Sequence, residues 1–201
     1  MTAIHARTQV EASAYISLAT SECIDSGSVV TETVTYPEDG DGEWVAHYYL
    51  ECLDCGLEWH FDVTVDPEPD GVDDAPRQYG YGTEPSRLID AGQWYLVFVQ
   101  RLAMARALQE QQGSGGPLEA RELGWLINNF DLGRAALDEV LKFIPAGQDR
   151  VPDSAVRTDQ GRWAYGEESA QFVRDRLEDM RGQMAAARDT YVEHYRRMNG
   201  E

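Results

Sequence analysis

The chain has 201 residues, 42% of them hydrophobic, and a formal net charge of −19. That length and apolar share suit one large domain or two small ones and argue against a wholly disordered chain. No stretch approaches the roughly 18 apolar residues needed to cross a bilayer.

The charge is uneven. Residues 1–86 hold eighteen acidic residues against two arginines, a net of −16, whereas residues 87–201 hold eighteen against fifteen basic residues, a net of −3. A field of that sign repels phosphate backbones and attracts basic partners, so direct nucleic-acid binding through the first half is not expected. Met1-Thr2-Ala3-Ile4-His5-Ala6-Arg7 lacks the apolar stretch of a signal peptide, and a cytoplasmic location is expected. Three cysteines, an odd number, then read as thiols or metal ligands rather than as a disulfide framework.

In chain order, residues 13–36 read as one or two strands. They comprise the short apolar run Ala14–Ala19 and the Val- and Thr-rich run Val29–Tyr36. Residues 37–42, Pro-Glu-Asp-Gly-Asp-Gly, form a turn by composition. The clearest local signal follows. Trp44, Ala46, Tyr48 and Leu50 alternate with Val45, His47, Tyr49 and Glu51. Leu57, Trp59, Phe61, Val63 and Val65 alternate with Glu58, His60, Asp62 and Thr64. Period-2 alternation in both arms predicts a hairpin over 44–65 with one buried face. Centring it between Leu53 and Asp54 pairs Leu50 with Leu57, Tyr48 with Trp59 and His47 with His60.

Residues 67–83, rich in Pro, Gly and Asp, predict a linker. Beyond it the pattern is helical. One helix is predicted from Glu84-Pro85-Ser86 to about Gln112, ended by Gly113-Ser114-Gly115-Gly116. A second opens at Pro117, and a third is capped by Asp131 and stopped by Pro145. A long last helix, Gly166 to Met198, carries the apolar line Val173, Leu177, Met180, Met184, Ala187, Tyr191, Tyr195, Met198. Its 3/4 spacing suits packing on neighbouring helices or a homodimer seam. The predicted fold class is α+β: an antiparallel N-terminal sheet (1–66) packed against a C-terminal helical bundle (84–201).

Two constellations could carry a metal. In Cys52-Leu53-Asp54-Cys55-Gly56 two thiolates lie two residues apart at a turn, a spacing that can fill two corners of a zinc tetrahedron. The pattern Tyr-x-Leu-x-Cys-x2-Cys-Gly-x2-Trp over residues 48–59 resembles one knuckle of a zinc ribbon. The resemblance implies zinc, yet no second Cys-x2-Cys exists. Cys23 is the candidate third ligand, with His60, His5 or an Asp as a fourth. The same cysteines also suit a degenerate knuckle in which they act as small buried hydrophobes. The second constellation is His47 with His60 on the polar face among Tyr49, Glu51, Glu58 and Asp62, where a metal or a titrating pair could sit.

Arg188-Asp189-Thr190-Tyr191-Val192-Glu193-His194 resembles the arginine–histidine motif of HEPN-type helical ribonucleases, which implies an arginine and a histidine meeting across a dimer to cleave RNA. Phosphate-loop, nucleophile-elbow, His-Glu-x2-His and di-iron patterns are absent from the sequence. The expected function is therefore that of a non-enzymatic interaction or accessory protein whose acidic half binds a basic partner, with zinc as its one candidate cofactor. A metal-dependent or HEPN-like enzyme and an acidic nucleic-acid mimic are the alternatives.

Overall fold

The computed structural model describes residues 4–21, 28–35, 44–67, 79–112 and 118–200. Cys23, the turn at 37–42, the 113–117 connection and most of the 67–83 linker lie outside the described residues. The chain is mixed α+β and divides into two compact units, Met1–Gly82 with Ser86–Ile89, and Thr83–Pro85 with Asp90–Glu201.

The first unit runs β1 (Ile4–Ala6), α1 (Gln9–Ala19), β2 (Ser28–Thr35), β3 (Trp44–Cys52), β4 (Glu58–Val65). The sheet order is β1-β4-β3-β2. β2, β3 and β4 pair antiparallel, but β1 lies parallel to β4, with Ile4 opposite Val63 and Ala6 opposite Val65. The sheet is therefore mixed rather than purely antiparallel.

The run Ala14–Ala19, expected as a strand, is helix α1. The cause lies just upstream. Thr8 is the N-cap, and its hydroxyl accepts the Glu11 N–H at 3.0 Å. The Glu11 carboxylate accepts the Arg7 N–H at 2.7 Å and the Arg7 guanidinium at 2.6 Å. A satisfied N-terminus fixes the helix start where a six-residue apolar run has no strong preference of its own. Ala12 and Ile16, one turn apart, then join Ala46, Tyr48, Leu50, Val63 and Val65 in the core.

The second unit holds α2 (Ala91–Gln112), α3 (Ala120–Lys142), α4 (Asp159–Glu167) and α5 (Arg174–Asn199). α2 starts seven residues after the expected Glu84, because Asp90 and Gln93 cap it reciprocally. The Gln93 N–H donates to Asp90 Oδ1 at 2.9 Å and the Asp90 N–H to Gln93 Oε1 at 3.2 Å. α3 is continuous through Asp131, which was expected to open a new helix. No glycine or proline interrupts residues 125–132, and Leu126, Phe130, Leu137 and Val140 keep one buried line.

The long last helix is broken. α4 ends at Glu167, a 3-10 turn spans Ser169–Gln171, and Val173 is extended at φ −103°, ψ 141°. The break is held from outside. The Val151 N–H donates to the Phe172 carbonyl at 3.0 Å and the Arg174 N–H to the Asp149 carbonyl at 2.7 Å. Phe172 is fully buried against the rings of Tyr95 and Tyr165, each centroid 4.8 Å away. Burying that aromatic side chain outweighs the hydrogen bonds a continuous helix would have kept.

Candidate functional site: the outer face and tip of the acidic hairpin

β3 and β4 alternate as the sequence predicts. Ala46, Tyr48, Leu50, Val63 and Val65 are buried, and His47, His60, Asp62 and Glu58 are exposed. The register differs by two residues. Leu50 pairs with Trp59, Tyr48 with Phe61, His47 with Asp62 and Tyr49 with His60. The two histidines are therefore diagonal neighbours on the outer face, not opposed.

The extra loop length explains the shift. Residues 53–56 form a wide turn in which the Gly56 N–H donates to the Cys52 carbonyl at 2.8 Å and the Cys52 N–H to the Leu57 carbonyl at 2.8 Å. Gly56 is left-handed, at φ +70°, a conformation that costs glycine little. A two-residue slip leaves every side chain on its face, so alternation alone cannot detect it.

On the outer face, His47 Nδ1 lies 2.7 Å from Asp62 Oδ1, and the His60 ring packs on Tyr49 at 4.8 Å. On β1, His5 Nε2 lies 2.7 Å from Asp66 Oδ1. In the last paired row Glu51 faces Glu58. The Tyr49 phenol is held above its ordinary value, first by partial desolvation, then by its hydrogen bond to Glu58 and by the charges of Glu58 and Glu51. The face thus concentrates carboxylates and carboxylate-bound imidazoles. Directly opposed like charges weaken a strand pair, so Glu51 and Glu58 sit where a cation from outside would relieve repulsion.

The two knuckle cysteines differ in setting. Cys52 ends β3 on the core face and is 1% exposed, whereas Cys55 is on the exposed turn. Among the described residues no group of three or more His, Cys, Asp or Glu side chains is placed to hold a metal ion. Cys23 lies outside them.

In the helical unit, Arg188 is tied to α3. Its Nε is 3.2 Å from Asp131 Oδ1, and its Nη1 donates to Asp189 Oδ1 at 3.0 Å. The hydrogen bond to Asp189, and then the charge of Asp131, hold this guanidinium more firmly protonated than usual. His194 lies six residues further along α5, about 240° around the helix by helical geometry, so the two side chains point apart within one chain. The apolar line of α5 is largely spent inside the chain. Leu177 and Met184 are buried, Tyr191 stacks on Phe130 at 5.7 Å, and Gln109 donates to the Tyr191 hydroxyl at 2.6 Å.

Leu57, which the alternation places on the buried face opposite Leu50, is 53% exposed, and Leu53 in the turn is 62% exposed. The wider turn, 53–56, carries Leu53 and leaves Leu57 at the very start of the second arm. Compared with family models, curated proteins and solved structures, the chain matches none. No described helix is long and apolar enough to cross a membrane.

Proposed function

We propose that this chain is a non-enzymatic interaction protein whose acidic β unit docks a basic partner protein. The observation that carries the reading is the opposed pair Glu51 and Glu58 at the end of the hairpin, within a stretch, residues 8–76, that contains no lysine or arginine. Glu51 and Glu58 are held side by side with the Tyr49 phenol bonded to Glu58, and an arginine or lysine from outside would compensate the paired charges further. The engagement of Arg188 by Asp131 and Asp189 fits a structural role for that arginine better than a catalytic one.

A structural zinc at the turn belongs to the same proposal. Ser28 is the register partner of Cys52, and Cys23 precedes Ser28 by five residues. Cys23 is therefore the nearest candidate in the sequence for a third thiolate. Three thiolates and one carboxylate or histidine complete a tetrahedral site of the structural type. Elemental analysis of purified protein tests this part. One zinc per chain that disappears in Cys52→Ser supports it, and a metal-free wild type ends it.

The interaction itself is tested by affinity capture from lysate at low and high ionic strength. A basic protein retained at low salt and released at high salt is expected. Capture that ignores salt, or the absence of any basic protein in the eluate, contradicts the proposal.

A further inference from the structure

Among the described residues of the first unit, the exposed large apolar side chains are Leu53 and Leu57. Leu53 and Leu57 flank the hairpin turn, and both side chains stand more than half exposed. Single exposed leucines are ordinary. Two that bracket one turn, with Glu51, Asp54 and Glu58 as their near neighbours in the sequence, make a small apolar knob with an acidic collar. The turn that carries them is fixed by the Gly56-to-Cys52 and Cys52-to-Leu57 backbone hydrogen bonds and by the left-handed Gly56.

Resting on the docking role proposed above, we infer that this knob is the anchor of the interface. Its occupant is a protein surface with an apolar depression ringed by arginine or lysine. The charge pattern selects that partner. An acidic collar with no lysine or arginine between Arg7 and Arg77 repels nucleic acid and anionic lipid surfaces, so the knob fits a depression whose rim is cationic. Interfaces gain most of their affinity from a few desolvated central side chains, while surrounding charges set approach rate and salt dependence. In this division Leu53 and Leu57 supply the buried centre, and Glu51, Asp54 and Glu58 supply the rim. A turn already held in one conformation loses little entropy on docking.

The test uses the full chain, with the basic protein purified from the low-salt eluate as the probe. The double variant Leu53→Ser with Leu57→Ser is expected to weaken binding by about tenfold or more and to leave the salt dependence unchanged. The triple variant Glu51→Gln, Asp54→Asn, Glu58→Gln is expected to flatten that dependence. Both leucines are exposed, so the double variant should melt with the wild type. Immobilised polyarginine, which offers charge without a depression, should hold the double variant as well as the wild type. Equal affinity of wild type and double variant for the purified protein overturns the anchor while leaving the acidic docking role intact. Sedimentation of the wild type, but not the double variant, with phosphatidylcholine vesicles would assign the knob to lipid and overturn it too. If no salt-sensitive basic protein is recovered, the docking role fails first and the anchor falls with it.

Discussion

Asp90 and Thr158, 68 residues apart, are the N-caps of two different helices and are bonded to each other. Asp90 Oδ1 caps α2 through Gln93. Its Oδ2 accepts the Arg157 N–H at 2.9 Å, the Thr158 N–H at 2.7 Å and the Thr158 hydroxyl at 2.8 Å. Thr158 in turn caps α4 by accepting the Gly161 N–H at 3.0 Å. Asp90 is fully buried, so its carboxylate depends on these partners rather than on water.

Asp90→Ala removes the acceptor of four hydrogen bonds. A loss of about 3 kcal/mol or more of unfolding free energy is expected, whereas Thr158→Ala, which removes one cap, should cost about 1–2 kcal/mol. Denaturant titration of the full chain measures both. Costs below about 1 kcal/mol for Asp90→Ala would mean the network is dispensable.

The same junction rests on two glycines. A Cβ on Gly161 would sit 2.2 Å from Asp90 Oδ1, and one on Gly92 would sit 2.2 Å from the Gly161 carbonyl oxygen. Gly161→Ala and Gly92→Ala should each destabilise by about 1–3 kcal/mol through overpacking. A Cβ on Gly182, inside α5, would meet no described atom within 4 Å. Gly182→Ala should stabilise by about 0.5–1 kcal/mol through helix propensity. Thermal melts of the three variants separate the effects by sign.

The hairpin register is open to a chemical test. Tyr49 and His60 are directly opposed, whereas His47 and His60 are diagonal. Opposed residues fall within the Cα separation a disulfide spans, and diagonal ones lie at about 7–8 Å, beyond it. In a background with Cys52 and Cys55 replaced by serine, Tyr49→Cys with His60→Cys should crosslink readily on oxidation, and His47→Cys with His60→Cys should not. The reverse result would restore the narrower turn.

What the sequence disclosed follows from what its patterns can distinguish. The alternation from Trp44 to Val65 identifies both strands and their buried face, since burial repeats every two residues. It is blind to the two-residue slip that separates His47 from His60, and only the left-handed glycine in the turn hints at the wider loop. Ala14–Ala19 is too short for period to decide between strand and helix, so the Thr8–Glu11 cap decides it. Asp131 has the chemistry of a cap, but its carboxylate serves the ion pairs with Arg188 and Arg134. The parallel pairing of β1 with β4 and the break at Phe172 depend on contacts distant in sequence, and no local pattern reports them.

The helical unit should lose stability in alkali. Tyr95 is held above the ordinary phenol value of 10.0 by burial and then by Glu168. Tyr165 is raised by burial and by its hydrogen bond to Asp153, which together outweigh Arg150 acting the other way. A raised folded value means the neutral phenol is favoured in the fold. The associated stability is therefore full below pH 10 and declines as pH climbs from there through the folded values. Tyr95→Phe should flatten that decline, as followed by denaturant midpoints across the alkaline range. An unchanged slope in the variant would assign the decline to other groups.

The most direct test of the docking role is the affinity of the purified chain for its captured basic partner as a function of ionic strength. Screening lengths shrink from about 30 Å at 0.01 M to about 3 Å at 1 M, so contacts built on the −16 half should weaken steeply over that range. Glu51→Gln with Glu58→Gln should reduce the slope. An affinity that stays constant across the range, or a slope that the double variant leaves untouched, would contradict the role assigned to this face.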